Sequence, residues 1–165
     1  MEPLLSARQK RRETFTALHS KLLAIVREDR ACQRLMTIPG VGPVTSVAFI
    51  STIDIQARFS KSRAAGSVLG LTPVLSQSGE VHRIGRVSLC GDVMMRALLY
   101  EAAQVMLSRL KKLSWLKAWA MNIAKRRGQQ KAIVALTRRM AVIMQHMRND
   151  GTEFHWTKES MSAAI

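Results

Sequence analysis

Gln129-Gln130-Lys131-Ala132-Ile133-Val134-Ala135-Leu136-Thr137-Arg138-Arg139-Met140-Ala141-Val142-Ile143-Met144-Gln145-His146-Met147-Arg148-Asn149 is the stretch on which the fold class turns. Ile133, Leu136, Met140, Ile143, Met144 and Met147 recur at steps of three and four, the period of one helix face, and strand-like alternation is missing. Gly128 and Gly151 bracket the run, with Gly151 as its C-terminal stop. Immediately upstream, Ser114 precedes a shorter helix carrying Trp115, Leu116 and Trp119. Before that, Asp92 is a candidate N-cap for a helix whose face holds Val93, Leu98, Leu99, Ala102, Ala103, Met106 and Leu110. Three consecutive helices, 10 methionines and an aromatic share of only 5% point to a mainly α domain.

Further toward the amino end the pattern is more broken. Pro73–Ser88 lacks helical spacing; Val81, Ile84 and Val87 would anchor either an irregular loop or a short hairpin. A short helix is expected from an N-cap at Ser60 through Leu69, closed by Gly70, with Asp54–Phe59 as connector. Another should run from Pro43 to about Thr52. Residues 4–36 carry Phe15, Leu18, Leu22, Ile25, Val26 and Leu35 on one stripe, with Arg8 to Arg12 off it. They read as one long helix, either an arm of coiled-coil type or an ordinary core helix.

Charge sets the partner class. The 165 residues hold 26 Lys and Arg against 11 Asp and Glu, a formal charge of +15. From Ala102 to Asn149 there are eleven cations and no acid (Arg109, Lys111, Lys112, Lys117, Lys125, Arg126, Arg127, Lys131, Arg138, Arg139 and Arg148). Solvated helix faces usually mix signs, so this segment is expected to face a polyanion, nucleic acid first. Cys32 and Cys90 are far apart and have no metal-ligand spacing, which suits a reduced cytoplasmic chain. The amino-terminal cations interrupt any signal peptide, and no apolar run approaches the roughly 18 residues of a membrane span.

Two local constellations could carry chemistry. Thr37-Ile38-Pro39-Gly40-Val41-Gly42-Pro43 lies between two helices and is similar to the helix-hairpin-helix DNA-binding turn. There Gly40 and Gly42 would let a phosphate approach backbone N–H groups and the following helix N-terminus. The same residues also suit a plain chain reversal. In Ser76-Gln77-Ser78-Gly79-Glu80, composition alone makes Ser78 a turn residue; His82, Arg83 and Arg86 follow closely, without spacing that shows convergence. Asp54, Glu80, Asp92 and Glu101 form no recognisable carboxylate cluster, so no metal site is assigned.

The order of segments adds what no single one does. Leu35-Met36-Thr37-Ile38-Pro39-Gly40-Val41-Gly42, Leu69-Gly70-Leu71-Thr72-Pro73, Gln77-Ser78-Gly79-Glu80, Gly85-Arg86-Val87-Ser88 and Cys90-Gly91-Asp92 follow one another. Leu98 to Ala103, Leu116-Lys117-Ala118-Trp119 and Asp150 to Phe154 come after them. This succession closely resembles the C-terminal part of the bacterial DEDD-type insertion-sequence transposases, the IS110 group (IS116/IS110/IS902-like), some of which are guided by a bridge RNA.

The resemblance implies a serine-bearing C-terminal domain that works with a RuvC-like part holding acidic metal ligands. By position Ser78 is the family's serine, the implied nucleophile for DNA cleavage and recombination. Gly40, Gly42, Arg83, Arg86, Lys125, Arg126 and Arg127 are the expected nucleic-acid contacts. Mg²⁺ would enter only through the RuvC-like part, with no cofactor bound by this chain alone. Where many relatives place cations and an aromatic after Pro73, this sequence has Val74, Leu75 and Ser76. The expected organisation is a helical arm (1–34), a transposase C-terminal domain (35–156) with a helix-hairpin-helix-like unit and an irregular serine loop, and a tail (157–165). DNA, a guide RNA and a second copy in the complete enzyme are the expected partners, in a cytoplasmic, nucleoid-associated setting. Lacking the RuvC-like part, the sequence reads as a truncated or split copy, inactive by itself. The rival reading is a non-catalytic helical DNA- or RNA-binding module.

Overall fold

A computed structural model of the chain describes residues 2–53, 64–78 and 81–157, with backbone alone for residues 2, 76–78, 81–84 and 86. The expected Ser60 cap, the 54–59 connector, Gly79 and Glu80 lie outside the described residues, as does the tail beyond Thr157. The fold is mainly α, as the periodicity requires. In chain order it comprises α1 (Glu2–Glu28), α2 (Arg30–Leu35), α3 (Pro43–Thr52), α4 (Ala64–Val68), β1 (Pro73–Ser78), β2 (Val81–Val87), α5 (Val93–Ser108), α6 (Trp115–Arg127) and α7 (Gln129–Asp150).

α7 is the central helix, packing on α2, α4, α5 and α6. All six apolar positions of its stripe are buried, and Leu136, Met140 and Met144 are wholly so. Phe49 of α3, Met95, Leu99 and Met106 of α5 and Leu116 of α6 complete the core. The helix ends follow the sequence closely. Asp92 Oδ1 accepts the Met95 N–H at 2.7 Å, and Ser114 Oγ accepts the Lys117 N–H at 3.2 Å. Gly128 (φ +87°) divides α6 from α7, and Gly151 closes α7 in the left-handed conformation. Val93, expected on the buried face of α5, is instead 71% exposed at its first turn.

The single helix expected over residues 4–36 is two. Asp29 leaves the helical region (φ −90°, ψ 108°) and turns its carboxylate onto the Ala31 N–H at 2.7 Å, so α2 starts with its own N-cap. Before this elbow every side chain from Pro3 to Lys21 is exposed, Phe15 by 68% and Leu18 by 60%, and Val26 is the first buried residue of α1. Steps of three and four also place Arg8 and Arg11 in the same row as Leu4, Phe15, Leu18 and Leu22, not off it.

Cys32, buried just past the elbow, bonds to Asp29 Oδ2 at 3.5 Å. Burial first, then the Asp29 charge and hydrogen bond, push its thiol up to about 11 from 9.0. A folded-state pKa above the unfolded one makes the neutral thiol's contribution complete below pH 9 and lost as pH rises through 11. Denaturant unfolding at pH 8 and pH 10.5 should therefore show a smaller alkaline loss in Cys32→Ala than in the parent; equal losses would contradict the buried, Asp29-linked thiol.

Of the two conformations open for Pro73–Ser88, the hairpin is the one found. β1 and β2 pair antiparallel, with Ser78 opposite Val81, Gln77 opposite His82 and Leu75 opposite Ile84. Between the Leu75–Ile84 and Pro73–Val87 pairs β2 holds one extra residue, a bulge in which Gly85 lies against the Val74 backbone. Pro73 opens β1, where a missing N–H costs least.

Candidate nucleic-acid interface and serine ribbon

The ribbon carries the candidate nucleophile at its outer end. Ser78 is the last residue of β1, and cross-strand register puts it on the same face as its partner Val81 and the Ser76–Arg83 pair; Gln77 and His82 take the other face. Arg86 falls within the bulge. Ser78, Arg83 and Arg86 are therefore brought into one element, with Arg83 nearer in register to the serine.

The base of the ribbon is a tight crossing of two backbone segments. The Ser88 N–H donates to the Thr72 carbonyl at 2.9 Å, and the Leu89 N–H to the Gly70 carbonyl at 3.1 Å. Gly70 (φ +63°) ends α4 in a Schellman turn, its N–H reaching Ser67 O and the Leu71 N–H reaching Gly66 O. A Cβ on Gly70 would stand 2.2 Å from the Cys90 carbonyl oxygen, and one on Gly91 (φ +136°) 2.2 Å from that of Val68. From α5, Arg96 Nη1 donates to the Gly91 carbonyl at 2.9 Å and approaches that of Leu69 at 3.4 Å. Beside it lies a cleft of about 260 Å³ lined by Leu71, Val87, Leu89, Arg96, Ala97, Tyr100, Val134 and Thr137. Sequence reading did not single out Arg96; a lone arginine on a helix has no local signal, and of its carbonyl partners Gly91 lies five residues upstream but Leu69 27.

The two turn glycines have different surroundings. Gly40 (φ +92°) lies against α5: a Cβ there would be 2.5 Å from the Ala102 carbonyl oxygen. Gly42 is the N-cap of α3 with Pro43 at the first helical position, and a Cβ on it would meet nothing within 4 Å. Only Gly42 leaves room for a phosphate at the α3 N-terminus.

The acid-free segment is not one uniform basic face. Lys117 is buried, its Nζ donating to the Leu110 carbonyl. Arg139 lies over Trp119 at 4.5 Å and Trp115 at 5.1 Å, and burial lowers its pKa. Arg148 donates to the Ile53 carbonyl at the end of α3, and Lys112 Nζ sits 4.2 Å over Trp156. These cations fasten the helices and the 151–156 strap, whose His155 carbonyl accepts Trp115 Nε1–H at 2.9 Å. Arg109, Lys111, Lys125, Arg126, Arg127 and Lys131 are exposed, four of them around the α6–α7 corner.

Among the described residues no three His, Cys, Asp or Glu side chains come together to hold a metal ion. Among them, too, no helix is long and apolar enough to cross a membrane.

Comparison with known proteins places these elements. Residues 32–120, from α2 through the ribbon into α6, match the family described as Transposase IS116/IS110/IS902. The chain is 32% identical over 135 residues to the transposase for insertion sequence element IS1111A of Coxiella burnetii, covering 81% of this chain and 37% of that protein. It is 30% identical over 128 residues to a probable family 20 transposase of Pseudomonas aeruginosa (77% and 38%), and 28% identical over 143 residues to the transposase for element IS1328 of Yersinia enterocolitica (86% and 43%). The chain thus spans well under half the length of these relatives. With more than half of its residues inside the family match, it belongs to the IS116/IS110/IS902 transposase family.

Proposed function

We propose that residues 35–156 are the serine-bearing C-terminal domain of an insertion-sequence transposase, with the exposed stretch of α1, Pro3–Lys21, as its arm. The domain grips DNA through its exposed cations and the α3 N-terminus and presents Ser78 for strand cleavage. The observation that carries this reading is the family match across the ribbon, with Ser78 at the end of β1. In the reaction, Ser78 Oγ forms a bond to a DNA phosphorus as the bond from that phosphorus to one sugar oxygen breaks. The serine proton passes to a base, and the departing sugar oxygen takes up a proton to end as a hydroxyl. The phosphoserine link keeps the ester available for rejoining. On this reading metal ions are held by the RuvC-like part; a bridge-type guide RNA would be a second polyanion for the same cations, in an oligomeric, nucleoid-associated enzyme.

The test is covalent trapping. Combined with a RuvC-like part of the family, Mg²⁺ and element-end DNA, the chain should yield a protein–DNA adduct that disappears in Ser78→Ala. An adduct that persists in that variant removes Ser78 as nucleophile and leaves a binding module. The grip is tested separately on the chain alone. If about six phosphates are neutralised, affinity for duplex falls about a thousandfold between 50 and 200 mM salt. Simultaneous alanines at Lys125, Arg126 and Arg127 should flatten the log–log salt slope by roughly two to three, whereas an unchanged slope would place the contact elsewhere.

A further inference from the structure

We propose that Arg96 is the positioning residue of the serine ribbon: its guanidinium fixes the angle at which β1 and β2 leave the helical body. The proposal rests on the reading of Ser78 as nucleophile. Three observations converge on it. The chain leaves the body for the ribbon beside Gly70 and returns to it beside Gly91, and these two glycines bring the segments so close that neither tolerates a Cβ. One nitrogen of Arg96 reaches a carbonyl on each side of that crossing, Leu69 before the ribbon and Gly91 after it. Beyond the crossing the ribbon is, among the described residues, a sheet of two strands, with Val74 and Leu75 52% and 60% exposed. Such a hairpin holds its direction poorly by itself.

The lever arm sets the magnitude. Six residues from Pro73 to Ser78, at 3.3 Å each, put the serine about 20 Å from the crossing, so a tilt of roughly 10° there moves Ser78 by about 3 Å. Displacements of about 1 Å already cost in-line chemistry on the order of a hundredfold. Arg96 sits in the first turn of α5, whose N-cap Asp92 follows Gly91 directly, so the guanidinium ties the ribbon to an element buried at Met95 and Leu99. Charge also suits the role, because a guanidinium donates to several carbonyls in a fixed plane.

The experiment reads direction and rate separately. Nitroxides are placed at Leu75→Cys on β1 and Met121→Cys on α6, in a Cys90→Ser chain whose remaining Cys32 is buried. Their distance distribution is measured for the parent, Arg96→Ala and Arg96→Lys. The expected result is a distribution at least about twice as wide in Arg96→Ala and intermediate in Arg96→Lys, with helical circular dichroism retained. In the trapping assay at saturating DNA, adduct formation should slow by about tenfold or more in Arg96→Ala, with half-saturating DNA unchanged within about twofold. A folded Arg96→Ala chain with parental width overturns the proposal. So does an unfolded Arg96→Ala beside a parental Arg96→Lys, which would make Arg96 part of the fold alone. Ser78→Ala separates the two readings. A ribbon that widens while the adduct survives Ser78→Ala leaves the mount standing and removes the nucleophile; a Ser78-dependent adduct whose rate ignores Arg96 removes the mount.

Discussion

Gly40→Ala is expected to lower the thermal midpoint by roughly 6–12 °C, whereas Gly42→Ala, two residues on, should shift it by no more than about 3 °C. At Gly40 an alanine must hold φ near +92°, which costs about 1–2 kcal/mol, and its methyl would stand 2.5 Å from the Ala102 carbonyl oxygen. Separating the corner from α5 adds a further penalty of about 1–3 kcal/mol, for a total near 3 kcal/mol. For a chain of this length each kcal/mol is worth roughly 2–4 °C. Gly42 has φ −103° and open space where a Cβ would go. Its substitution should weaken duplex binding if a phosphate approaches there, with stability little changed. Scanning calorimetry and a binding titration on both variants distinguish the roles; equal losses of stability would show the two glycines to be equivalent.

Phe49→Ala should cost about 3–5 kcal/mol. Phe49 is wholly buried on α3, which packs against α2 and α5, so truncation leaves a void among elements that bury Leu35, Leu99 and Met106. Phe49→Leu keeps most of the volume and should cost under about 1.5 kcal/mol. Urea unfolding would show a lower midpoint at unchanged slope for both, graded by volume. A loss below about 1 kcal/mol for Phe49→Ala would mean that α3 is not a core element. The α2–α3 corner would then be a peripheral turn, and its candidate phosphate site would lack a rigid base.

The C-terminal helices α5, α6 and α7 are legible because local chemistry and core pattern agree at each of them. Asp92, Ser114, Gly128 and Gly151 mark ends that the structure places where the residues suggest, and the α7 stripe is buried position by position. The elbow at Asp29 escaped notice because an acid between Glu28 and Arg30 looks like any exposed helical residue until its carboxylate is seen on the Ala31 N–H. The basic segment is legible in the sequence as charge but only in part as surface. Whether Lys117 faces water or a carbonyl, and whether Arg139 meets a phosphate or two tryptophans, depends on neighbours 7 to 24 residues away. At the proposed site only the order of motifs singles out Ser78, since Ser-Gly alone is turn chemistry. The crossing at Gly70, Gly91 and Arg96 is tertiary, and no window of sequence contains it.

The free stretch of α1 also governs how the molecule moves. Pro3–Lys21, at 1.5 Å per residue, is a rod about 28 Å long that buries none of its side chains on the body. A compact chain of 165 residues has a radius of gyration near 15 Å, and a projection twice that length raises the measured value and gives the pair-distance distribution a long tail. It also slows end-over-end tumbling relative to spinning about the rod, so relaxation measured along different N–H directions in the helical body should be anisotropic.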